Sequence, residues 1–373
     1  MTAPPPARRR VLALVLAGLV LAVSGCSAPS GSAIGTNDAC LGADTALTAL
    51  DTLEQPKDWL GESSACLVND SVAPVVERAE STLPVTVTDN QDTEVTITDT
   101  SRILALDLNG SLAVTVFGLG LGDRVVGRDT STGFAEAADL PLVTQNGHEL
   151  SGEGILSLEP TVILTDSSIG PWDVILQLRD SGIPVVVLTP ERSLENTGDI
   201  ITAVAEALGV PEEGKKLAER VQQDLDRVAA DIASIAPADA ADRPRMLFLY
   251  VRGNAGIYYI FGEGSGTDSL IETLGGVDVA TEIGWVGMRP MTAEALVDAD
   301  PDLILMMTKG LESVGGVDGL LERIPAVAET RAGQNRRIVD MSDYEILSFG
   351  PRSPAVVDAL ARAIYAPESS GWK

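Results

Sequence analysis

Apolar residues recur at two different periods along this chain, and the change from one to the other divides it. Alternation in Glu94-Val95-Thr96-Ile97 predicts an edge strand. Apolar runs at 103–108, 125–127, 162–164 and 184–188 predict further strands, while 111–121 and 172–181 between them carry helical spacing. Alternating strands and helices, with runs such as Val185-Val186-Val187, predict an α/β lobe whose mostly parallel sheet is covered on both faces. From 191 to 240 the strand signal stops. Residues 194–208 predict one helix, Gly209 and Pro211 break it, and 212–235 predict a second, about 35 Å long at 1.5 Å per residue. Leu217, Val221, Leu225, Val228 and Ile232 share one face of that helix, leaving Glu219, Gln223 and Arg227 toward solvent. A helix of this length bridges two lobes. Arg245-Met246-Leu247-Phe248-Leu249-Tyr250-Val251 then opens a second series of βα units that runs to Tyr365. The expected lobes are 94–190 and 241–366, joined by inter-lobe helices at 191–240 and followed by a tail at 367–373.

The two lobes share a repeated stretch. Gly152-Glu153-Gly154-Ile155-Leu156-Ser157-Leu158-Glu159-Pro160 is echoed by Ala293-Glu294-Ala295-Leu296-Val297-Asp298-Ala299-Asp300-Pro301. In each copy a Glu precedes a short amphipathic turn, a Pro stops it seven residues later, and a buried strand follows. Upstream, Leu119-Gly120-x-x-Asp123 matches Leu274-Gly275-x-x-Asp278, where a helix ends at Gly.

Ahead of the lobes, Arg8, Arg9 and Arg10 precede an uncharged run at 11–23 that is too short to favour a spanning helix, which is the order of an export signal. It ends in Val23-Ser24-Gly25-Cys26, which resembles the bacterial lipobox, in which the Cys is acylated and becomes the first mature residue. Residues 1–25 are thus expected to be removed, and Arg8-Arg9 leaves both the general and the twin-arginine export routes open. Removal of three Arg takes the net charge from −28 to −31, an acidity that repels nucleic acid and anionic headgroups and keeps the protein soluble. Cys40 and Cys66 can pair in an oxidising compartment. Residues 26–93 are rich in Ser, Thr, Ala and Asp, and are expected to form a tether and a small accessory segment.

Lipoprotein signal, two βα lobes and one long connecting helix together resemble the class III substrate-binding proteins of ABC importers that carry iron complexes, haem or cobalamin. The resemblance covers about residues 94–366. It implies a monomer anchored to the outer face of the plasma membrane, with ligand held between the lobes. It also implies a permease, with its ATPase, whose Arg residues meet one surface Glu from each lobe, and Glu153 and Glu294 match those positions. An acidic residue at an exposed helix start is also what the macrodipole favours.

In open α/β sheets ligands meet the loops at the carboxyl ends of strands. There the only histidine of the chain, His148, lies in Gln145-Asn146-Gly147-His148-Glu149, after an expected 142–144 strand. In the second lobe, Tyr250 and Arg252 share one face of their strand by alternation. A phenol, ordinarily with a pKa of about 10, must lose its proton to bind ferric iron, and both the metal and a neighbouring guanidinium favour the charged form. A core Tyr beside a snorkelling Arg is the alternative. Phe248-Leu249-Tyr250-Val251-Arg252-Gly253 together with Gly147-His148 resembles the HmuT-type haem-binding members of that family. This resemblance implies His148 and Tyr250 as axial ligands of a transported haem, Arg252 supporting the Tyr, and upstream cell-surface haem-binding proteins as donors. Tyr258 and Tyr259 lack an Arg two positions on and rank below Tyr250. Met307 and Tyr344 are expected as cleft walls, with Trp285 and Met288 weaker candidates.

A ferric-siderophore or cobalamin carrier of the same family remains open, as does a chelatase-like metalloenzyme of the same two-lobed fold. Turnover would need clustered acid–base groups or Cys ligands in the lobes, and the sequence offers neither. Gly262-Glu263-Gly264-Ser265-Gly266 lacks the Lys-Ser/Thr ending of a P-loop and reads as a flexible loop.

Overall fold

A computed structural model describes residues 45–370. The expected signal, Cys26 and Cys40 lie outside these residues; Cys66 is disulfide-bonded. No helix among the described residues is long and apolar enough to cross a membrane.

In the N-terminal lobe Ile103–Leu106, Val162–Thr165 and Val185–Val187 form a parallel sheet, every residue of which is buried. The helices Ser111–Gly118 and Trp172–Asp180 accompany it. The expected 125–127 strand is reduced to a bridge from Val125 to Ile103, because a 3-10 turn at Gly122–Arg124 delays the chain's return to the sheet. The C-terminal lobe is built on a seven-stranded mixed sheet. Ser63–Ala65, Ile338–Met341, Leu303–Met307 and Arg245–Arg252 run parallel, and Ile257–Phe261 and Met288–Pro290 close the far edge antiparallel.

The helix Pro211–Ile235 buries the five residues read from its period, and Gly214 as well. At Gly214 a Cβ would lie 2.3 Å from the Ala205 Cβ, so glycine is what lets this helix approach Thr197–Ala207. That second helix starts three residues later than its apolar pattern suggests. Ser193 N donates to Asn196 Oδ1 while Asn196 N donates to Ser193 Oγ, and this reciprocal turn competes with helix.

The N-terminal segment is less separate than its composition suggests. Ser63–Ala65 is an edge strand of the C-terminal lobe, Val75 N and Ala79 N bond to Gly118 O and Gly120 O of the N-terminal lobe, and Val85–Thr88 pairs with Glu94–Ile97 across the expected boundary at 93. It therefore runs from one lobe to the other. One apolar core includes the facing parts of both lobes and the long helix, and two smaller clusters lie beneath the outer faces.

Candidate functional site

Strand Arg245–Arg252 sorts its side chains by parity. Leu247, Leu249 and Val251 enter the outer core of the lobe, whereas Met246, Phe248 and Tyr250 belong to the cluster between the lobes. Tyr250, half-buried near the carboxyl end, stacks on Phe261 at 5.9 Å between centroids. Arg252 lies over its ring, Cζ at 4.4 Å from the centroid. The guanidinium is fixed by Asp343 Oδ2 at 2.6 Å, by its own strand's Val251 O at 2.9 Å and by the Met307 sulfur at 3.4 Å. Among the described residues the Tyr250 hydroxyl has no hydrogen-bond partner.

The 142–144 strand expected before His148 is instead a Leu142 bridge to Arg128 followed by a small hairpin, Thr144–Gln145 with Glu149–Leu150. Asn146 and Gly147 turn it with φ of 48° and 94°, both in the left-handed region. Thr130 Oγ1 ties this turn down by donating to Gly147 O at 2.7 Å. His148, next in the chain, is half-buried, with Nδ1 at 3.5 Å from Ser131 Oγ. Burial and the positive charge of Arg252 hold its imidazole below the ordinary histidine range. The second of these causes is an Arg of the other lobe.

Met307 is buried, with its sulfur against the Arg252 guanidinium. Tyr344 reaches across to the N-terminal lobe, where a Cβ on Gly133 would lie 2.4 Å from its ring. Lys309 Nζ donates to Tyr344 Oη at 2.5 Å and sits 4.1 Å from its ring centroid. Tyr259 is directly opposite Tyr250 in the hairpin and in the same cluster, whereas Tyr258 turns to the outer core. Trp285 packs on the outer core, whereas Met288 is exposed directly opposite Phe261, on the Tyr250 side of the sheet. Asp343, Lys309, Phe261 and Gly133 were not singled out by sequence; the only signal was that Asp343 and Lys309 each follow a strand end.

Beneath the His148 turn lies a buried acidic network. Asp107 accepts from Ser111 N and Leu112 N, Asp129 accepts from Asp107 N and Thr132, and Arg192 pairs with Asp166 at 2.6 Å and with Asp107 at 3.4 Å. Burial and the neighbouring Asp107 charge push the Asp129 carboxyl up to about 7. No cluster of His, Cys, Asp and Glu among the described residues could hold a bare metal ion.

The repeated helices are equivalent in detail. Ser151 Oγ accepts from Gly154 N and Thr292 Oγ1 from Ala295 N, capping Gly152–Ser157 and Ala293–Ala299. Glu153 and Glu294 are exposed in the first turn of each, and Glu159 and Asp300 both turn the chain with positive φ afterwards. Leu156 and Val297, one turn beyond each Glu, are 44% and 45% exposed.

A sequence profile of the periplasmic binding protein family matches residues 108–345. An uncharacterized ABC transporter substrate-binding lipoprotein of Bacillus subtilis (strain 168), YvrC, is 27% identical over 286 residues, covering 76% of this chain and 86% of its own. The crystal structure of the haem-binding protein HmuT superposes with a TM-score of 0.79 at 41% identity, covering 83% of this chain and 99% of that one. Variants of HmuT in which a His, a Tyr or the Arg two positions after that Tyr is replaced by Ala have also been solved. The apo periplasmic haem-binding protein RhuT of Roseiflexus sp. RS-1 superposes with a TM-score of 0.65 at 36% identity, over 73% of this chain and all of that one. With two βα lobes, one long connecting helix and a profile match across most of both lobes, this chain belongs to the periplasmic binding protein family.

Proposed function

We propose that the protein captures haem between its lobes and delivers it to an ABC importer, with His148 and Tyr250 as the axial ligands. The observation that carries this is the Tyr250 site: a phenol free of hydrogen bonds, stacked on Phe261, held beneath a guanidinium that Asp343 and Met307 fix in place, and facing the lobe that carries the only histidine. The HmuT relatives, with a His, a Tyr and an Arg two positions later chosen for replacement, support the assignment.

Each residue has a chemical part. Only a neutral imidazole offers a lone pair to iron, and burial together with Arg252 keeps His148 neutral over a wider pH range than a free histidine. Arg252 stabilises negative charge on the Tyr250 oxygen and fixes the ring's orientation. Phe261 and Met307 offer apolar surface to a flat macrocycle. Cys26 would carry the lipid anchor outside the cell, and Glu153 and Glu294 would meet the permease. YvrC is named as the substrate-binding lipoprotein of an ABC transporter and HmuT as a haem-binding protein, which supports a binding role rather than turnover.

Titration of the purified protein with haemin tests the reading. A Soret band is expected that shifts or is lost in His148→Ala and in Tyr250→Ala; a protein that stays without a Soret shift on haemin addition refutes it.

A further inference from the structure

Lys309 is the cation of the cleft that the Tyr250 site leaves unused. Its backbone N–H donates to Asp343 Oδ1 at 2.9 Å, and the other oxygen of that carboxylate is taken by Arg252 at 2.6 Å. Arg252 therefore already has a carboxylate partner. The Lys309 ammonium, by contrast, has no carboxylate within ion-pair distance among the described residues; its partner is the Tyr344 hydroxyl. In a chain of net charge −28 this is an uncompensated positive charge, and it stands in solvent where the two lobes meet. Tyr344 itself is wedged: its ring lies on the Gly133 backbone of the opposite lobe, and its carbonyl accepts from Arg352 Nη2 at 2.7 Å.

A phenol is a weak partner for an ammonium, and an anionic oxygen is a much better one. We propose that Lys309 is the anion-recognising residue of this cleft and takes a carboxylate of the ligand, with the Tyr344 hydroxyl, released from the ammonium, as a second donor. The inference rests on the haem reading. Haem carries both of its carboxylates, the propionates, on one edge of an otherwise apolar disc. With iron between His148 and Tyr250, a cation on one side of the disc fixes its rotation and rejects porphyrins that lack the acid groups. Arg252 cannot serve in this way, since its charge is spent on Asp343 and Tyr250.

The test compares haemin with haemin dimethyl ester, the same porphyrin with both carboxylates blocked, by Soret titration of the wild type, Lys309→Met and Lys309→Arg. Wild type is expected to prefer haemin by about tenfold, the scale of one charge-assisted hydrogen bond. Lys309→Met should bind haemin no better than wild type binds the ester and should discriminate less than about threefold, and Lys309→Arg should keep the preference. A Lys309→Met protein that discriminates as wild type does, or a wild type indifferent to esterification, overturns the assignment while leaving the haem reading intact. Failure of wild type to bind haemin overturns both.

Discussion

Arg252 has two structural duties, and removing it separates them. Arg252→Ala takes the cation from the Tyr250 face at 4.4 Å and leaves Asp343, whose side chain is only 10% exposed, with the Lys309 N–H as its remaining partner. A fully buried pair broken on one side costs about 3–5 kcal/mol, but the Arg252 side chain is 29% exposed, so solvent screens part of this and about 2 kcal/mol of stability is the expected loss. The cation–π contact is worth about 1 kcal/mol more, felt where the ligand binds. With the lost support of the phenolate, haemin affinity should fall about 10- to 100-fold. Arg252→Ala combined with Asp343→Asn distinguishes the two effects. Asn keeps an acceptor for Lys309 N but has no charge to strand, so urea unfolding should return to within about 1 kcal/mol of wild type. Haemin affinity, read from the Soret titration, should stay low, because the guanidinium is still missing from the Tyr250 ring. Recovery of affinity together with stability would refute the reasoning and reduce Arg252 to a counter-ion of Asp343.

Three further outcomes follow from the same geometry. Because the His148 imidazole is held below its ordinary range, haemin affinity should be level near neutrality and decline only when the pH falls below about 6.5, as protons compete for the ring; spectroscopic titration from pH 8 to pH 5 should show that decline in wild type and not in His148→Ala. The Asp129 carboxyl keeps its proton to about pH 7 in the folded state and loses it near 4 when unfolded, so the folded state binds more protons between those values and stability falls as pH rises through that window. Urea unfolding at pH 4.5 and 7.5 should show the drop, at most about 4 kcal/mol from this group, and an Asp129→Asn variant with an unchanged pH slope would contradict it. Glu153→Ala with Glu294→Ala should leave haemin affinity unchanged while abolishing haem-dependent growth of a deletion strain carrying the variant, and loss of haemin binding would place the carboxylates in the ligand site instead.

What the chain reveals before folding depends on whether a feature is periodic. The buried face of Pro211–Ile235 and the common side of Tyr250 and Arg252 follow from 3.6- and 2-residue repeats, and both are as expected. Asp343 escaped notice because it joins Arg252 across 91 positions through loops with no repeat. Ser63–Ala65 escaped for another reason: Ser-Ser-Ala carries no strand-forming side chains. It is held as a strand by backbone pairing to Val339–Met341, by Ser64 donating to Asp340 Oδ1 at 2.6 Å and by Ser63 donating to Ala363 O at 2.8 Å. The Tyr259 position shows the limit of ranking by neighbours in sequence, since strand register, not an Arg two residues on, brings it beside Tyr250.

The duplication separates surfaces that have different symmetry requirements. A partner that meets both lobes in the same way needs the same side chains at the same orientation twice. The two helix starts meet that requirement down to the capping hydroxyls of Ser151 and Thr292, the exposed Glu153 and Glu294, the equally exposed Leu156 and Val297, and the left-handed Glu159 and Asp300. Under the haem proposal the ligand site would require the opposite, because the two faces of the iron would be served by different donors whose protonation must be controlled separately. Five positions before each Glu the repeat breaks: His148 stands in one lobe and Arg289 in the other. His148 is half-buried on a hairpin turn within the field of Arg252, while Arg289 lies exposed on an edge strand with its Nε on Val286 O. The two helix starts thus keep one geometry on their outer turns, while the loops that lead into them differ.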